Sequence, residues 1–95
     1  MIMIRVKAKI TLFRMGRKTP FVSGYRPLFN FIPEMKTSGQ IVLHDRQELF
    51  PGDQALVEII FLNKEYLGDS FGPGAHFTFG EGFEPIGEGV IKELI

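Results

Sequence analysis

Glu81, Glu84 and Glu88 stand three and four residues apart near the end of a 95-residue chain. Acids so close can share general acid–base work when one of them is held protonated. They fall, however, in the glycine-rich run GEGFEPIGEG, where nothing in the sequence would bury one of them, so an acidic hairpin is the expected role. His44 and His76 are far apart, and neither has a second ligand spaced beside it, so no metal site is expected. Ser23, Ser38 and Ser70 lack the His–Asp context of an activated nucleophile. With no cysteine there is no disulfide, thiolate ligand or thiol nucleophile. No G-x-x-x-x-G-K-[ST] phosphate loop occurs, and GEGFEPIGEG precedes a strand rather than a helix N-terminus. Neither enzymatic activity nor a cofactor is expected.

Binding chemistry is better represented. The stretch GRKTPFVSGYRPLFNF, Gly16 to Phe31, sets Arg17, Lys18 and Arg26 among Tyr25, three phenylalanines and two prolines, with Arg14 just before it. Cations beside an aromatic platform can hold RNA, by phosphate attraction and base stacking. The alternative is a structural clasp, in which Pro20 and Pro27 stiffen a long connection while Phe21 and Tyr25 pack it down. Arg17 and Lys18, at the tip, are the functional candidates on the first reading, with Tyr25 and Arg26 behind them. The charges are also segregated. Residues 1–33 hold seven Lys or Arg and no acid, whereas from Thr37 onward three cations face ten carboxylates. That asymmetry fits a nucleic-acid footprint, or basic and acidic strands lying side by side.

The elements that would position these residues are strands. Ile2, Ile4, Val6, Ala8, Ile10 and Leu12 alternate with Arg5, Lys7, Lys9 and Thr11, the period of a strand buried on one side. LFNFI predicts a second strand, PEMKTSG a break, and QIVLH a third. FPGD reads as a type II turn, with Pro51 presetting φ and Gly52 supplying a positive one. The strand after it places Ala55, Val57, Ile59 and Phe61 on one face and Leu56, Glu58, Ile60 and Leu62 on the other. With both faces mostly apolar, it is either covered twice or presents an apolar stripe to a partner. AHFTFGE and IGEGVIKELI complete the set, the glycines Gly87 and Gly89 marking a bend or a close backbone approach. About six short strands with no helical period predict an all-β fold, one small six-stranded antiparallel β-barrel spanning residues 1–95. The opening MIMIRVKAKITL is too interrupted by cations for a signal peptide, and no segment is apolar enough for a membrane helix. A cytoplasmic location is expected.

Read together, G-R-x-T-P-F followed by G-Y-R-P-x-F, then P-G-D, then G-x-G-V near the end resemble the C-terminal (third) domain of translation elongation factor EF-Tu. The resemblance runs from about Val6 onward. It implies a six-stranded antiparallel barrel which, in the family, packs on two other domains, contacts the T stem of aminoacyl-tRNA and helps bind the nucleotide-exchange factor. The chain departs from the family pattern at Gly80, Glu84 and Ile32, where arginines are usual. Exchanging cations for a carboxylate opposes a phosphate backbone.

A barrel of this kind without its companion domains leaves outer surface uncovered. Leu56, Ile60 and Leu62, with Phe13 and Phe83 as neighbours, are the expected interface. Three functions follow: a stand-alone protein-interaction module linked to translation, a small RNA- or tRNA-binding module using the basic 14–27 loop, or an oligomerisation barrel in which a homo-oligomer covers the face.

Overall fold

The computed structural model describes residues 3–95, and it is all-β. Eight strands form: β1 (Ile4–Leu12), β2 (Phe21–Val22), β3 (Leu28–Ile32), β4 (Met35–Val42), β5 (Glu48–Leu49), β6 (Gln54–Phe61), β7 (His76–Gly80) and β8 (Gly87–Leu94). Six of them close into an antiparallel barrel in the order β1-β6-β4-β3-β7-β8, while β2 and β5 make a two-residue ladder outside it. Strand β1 pairs with β6 on one side and β8 on the other, so first and last strands complete the ring. Closure leaves no edge to aggregate. No helix long and apolar enough to cross a membrane occurs among the described residues.

The alternation in β1 works as expected. Val6, Ala8, Ile10 and Leu12 are fully buried, and Arg5, Lys7 and Lys9 face out; Ile2, placed on the same face by the sequence, lies outside the described residues. The segregated charges meet across strands: Arg5 reaches Glu58 of β6 at 2.6 Å and Lys7 reaches Glu93 of β8 at 3.2 Å. The expected turn at FPGD is present, with Asp53 N–H donating to Phe50 O at 2.9 Å and Gly52 at φ 93°.

The interior is filled mainly by phenylalanine. Phe29 packs on Phe61 with centroids 5.1 Å apart and planes near perpendicular, and Phe77 and Phe79 complete the layer. Such edge-to-face contact is the favoured aromatic geometry. Rings this large need small residues opposite them. A Cβ on Gly87 would lie 2.3 Å from Phe79 Cζ and 2.6 Å from Thr11 O, and one on Gly89 would lie 2.5 Å from Phe77 Cζ. The two glycines of β8 therefore serve close approach, one of the two uses the sequence allowed.

One sequence expectation is corrected. PEMKTSG is not a break between strands. Met35 to Gly39 belong to β4, which pairs with β3 as a hairpin around Pro33–Glu34. Proline and lysine lower strand propensity there, but Thr37 and Gly39 point inward at the barrel wall and the pairing with β3 overrides the local preference. Glu34 takes the positive φ of 67° that the tight turn demands.

Candidate functional site

The second half of the connection from β1 to β3 is held by backbone bonds to β4. Gly24 N–H donates to Ile41 O and Ile41 N–H donates to Tyr25 O, each at 2.8 Å, so the connection continues the path of β3 along its neighbour. Ser23 Oγ accepts from Leu43 N–H at 2.9 Å. Phe21 is buried beneath, and Tyr25 stacks on it with centroids 4.6 Å apart. Phe21 and Tyr25 thus pack the connection down as the clasp reading requires.

The tip is tied down by one carboxylate from the opposite loop. Glu81, just past β7, accepts from the Tyr25 hydroxyl and from Arg17 Nη1, the latter at 2.5 Å. Arg17 also donates from Nε to Thr19 O at 2.9 Å, and its guanidinium lies 4.9 Å above the Tyr25 ring. Burial, reinforced by the Glu81 carboxylate, pushes the Tyr25 phenol well above its ordinary range. The Tyr25 hydrogen bond, followed by the charge of Arg17, holds Glu81 below the usual carboxylate value. Sequence reading treated Glu81 only as one of three hairpin acids; its sequence distance from Arg17 and Tyr25 hid the contact.

Of the four loop candidates, Arg17 and Tyr25 come together around Glu81. Lys18 and Arg26 are exposed and take part in no ion pair among the described residues, as does Arg14. The free cations therefore flank an internally neutralised centre rather than forming one continuous basic surface.

The second candidate surface lies on the outer face of β6. Leu56 and Leu62 are 56% and 50% exposed, whereas Ile60 is half-buried between its register partners Arg5 and Gln40. Glu58 interrupts the stripe. Its carboxylate accepts from Arg5 Nε at 2.6 Å and meets His44 Nε2 at 3.2 Å, linking three segments across the barrel wall. The Arg5 hydrogen bond holds Glu58 below the ordinary carboxylate range. Next to this network, Leu56 and Ile95 wall a depression of about 290 Å³ whose rim carries Lys7, His44 and Asp45. The expected neighbours Phe13 and Phe83 do not join it. Phe83 follows β7, which stands across the barrel from β6, and Phe13 is bound through its N–H to Ile86 O at the barrel end.

No group of three or more His, Asp or Glu side chains suited to a metal ion occurs among the described residues. No known family model matches the sequence.

Proposed function

We propose that this chain is a non-catalytic binding barrel of the EF-Tu third-domain kind, that its ligand is a protein of the cytoplasmic translation machinery, and that the outer face of β6 makes the contact. The observation carrying this reading is that Leu56 stands more than half exposed at the wall of an apolar depression, beside Ile95. A bulky apolar side chain of the partner fits there, with the rim charges of Lys7, His44 and Asp45 excluding ill-matched surfaces. The succession of G-R-x-T-P-F, G-Y-R-P-x-F, P-G-D and G-x-G-V supports the kinship. The same geometry disfavours RNA as the main ligand, because Glu81 engages Arg17 and Tyr25.

The second reading, an RNA-binding module, keeps one supporting observation: Arg14, Lys18 and Arg26 are cations without carboxylate partners among the described residues. The two separate cleanly by substitution. Tagged chain is used to capture ligands from lysate of its own host, with and without nuclease, as wild type, Leu56→Asp and Arg14→Glu/Lys18→Glu. The protein reading expects a partner that survives nuclease, is lost with Leu56→Asp and is kept by the charge-reversed variant. Recovery of RNA that disappears with Arg14→Glu/Lys18→Glu, and whose affinity falls steeply with salt, would establish the alternative.

A further inference from the structure

Phe83 is the most exposed large hydrophobic side chain among the described residues, at 95%. It projects from the turn between β7 and β8, and packing of the chain on itself gives it nothing to cover. Beside it is a depression of about 210 Å³, bounded by Leu28, Lys36, Gly80 and Glu84, with Phe83 itself forming one wall. Gly80 and Gly82 both line the hollow. At Gly80 no side chain could be added, since a Cβ would lie 2.7 Å from Glu84 O. A protruding ring thus stands directly next to a cavity of suitable size for one ring.

We propose that two copies of this chain pair through this turn, each Phe83 seated in the depression of the other. A knob and a hole side by side on one surface are self-complementary under a twofold axis, the symmetry of most homodimers. The charges agree with that occupant. Lys36 and Glu84 both border the hollow. Lys36 Nζ donates to Gly82 O at 2.6 Å, which uses one of its three donors, and Glu84 has no cationic partner among the described residues. When Phe83 enters the other copy's depression, its neighbour Glu84 is carried to the rim where that copy's Lys36 stands. Symmetry makes the pair twice. The formal net charge of zero adds no repulsion between copies. The two Phe83 rings meet at the axis, where aromatic contact adds to burial.

This surface shares no lining residue with the depression beside Leu56, so the pairing and the protein-binding reading can fail independently. Sedimentation velocity over a micromolar-to-millimolar series tests it. Wild type is expected to pass from monomer to dimer with concentration. Phe83→Asp is expected to weaken pairing at least roughly tenfold, as for a central interface anchor, without lowering the melting temperature. Lys36→Glu is expected to weaken it too, and Lys36→Glu/Glu84→Lys to restore it. A wild type that stays monomeric to the top of the series overturns the proposal. So does a dimer that persists in Phe83→Asp, or a charge swap that fails to rescue Lys36→Glu.

Discussion

Glu81 holds two donors from one loop, Arg17 and Tyr25. Removing the carboxylate leaves Arg17 free and the Tyr25 hydroxyl without its partner. Glu81→Ala is expected to lower stability by about 1 kcal/mol, near the upper end for a solvent-screened charged pair, because Glu81 is more than half exposed. A calorimetric melt checks it, and Tyr25→Phe should reproduce part of the loss. Acid should act through the same carboxylates. Glu58 and Glu81 are both held below their usual value of 4.5 in the folded chain, by Arg5 and by Tyr25 respectively. A depressed folded value stabilises above the unfolded value, and that contribution disappears as pH falls through the folded one. Wild type should therefore be more stable than Glu58→Gln near neutrality, and the gap in melting temperature should close below about pH 4. A gap that stays constant with pH would mean that the Arg5–Glu58 pair does not set the titration. At the alkaline end the sign reverses. Tyr25 is raised above its ordinary 10.0, so its contribution is lost once the unfolded chain ionises and the folded one resists.

At the scale of the elements, β8 carries the most restrictive positions. Gly87 sits against both a phenylalanine ring and the backbone of β1, and backbone cannot move aside. Gly87→Ala is expected to cost about 1–3 kcal/mol or more by overpacking, while Gly82→Ala, with nothing within 4 Å, should leave the melting temperature within error. Equal effects at the two sites would refute the close-packing explanation. The elements also differ in how far they could be read in advance. β1 was legible because its outer face is charged and its inner face apolar, a pattern only one register satisfies. β3 was legible because a short apolar run followed a proline. The first half of β4 was not, since Met35, Lys36 and Ser38 are exposed and carry no apolar alternation, and only the partner strand makes them extended. The same holds for β2 and β5, two residues each, which exist because Phe21 and Leu49 are buried together.

For the whole molecule, the closing contact is between β1 and β8, the first and last strands of the barrel. No part of the ring is complete without it, so local subdomains cannot persist alone. Chemical unfolding is expected to be a single transition, with far-ultraviolet dichroism and tyrosine fluorescence coincident. Refolding should take milliseconds to seconds, as for other barrels dominated by non-local pairing, and stopped-flow measurement checks it. Two separated transitions would show that the loop around Tyr25 and the barrel are not one cooperative unit. Tyr25 and Tyr66 provide the signal, one on the clasp and one on the connection between β6 and β7.

What the sequence determined by itself was the fold: period-2 alternation, turn residues at FPGD and glycines at 87 and 89 are local signals, and they are enough to mark the six strands of the barrel, though not all of their bounds. It also singled out the loop from Gly16 to Phe31, where cations, prolines and aromatics are dense. Which of those cations are free was decided only in three dimensions. Arg17 pairs with Glu81, which also accepts from the Tyr25 hydroxyl, and outside the loop Arg5 pairs with Glu58, through contacts between residues far apart in the chain. The apolar surfaces divide in the same way: Leu56, Leu62 and Phe83 read alike in sequence, but barrel closure sends the first two and the third to opposite walls. A charge pair or a surface patch is a property of distance in space, and no spacing along the chain fixes that until the ring is shut.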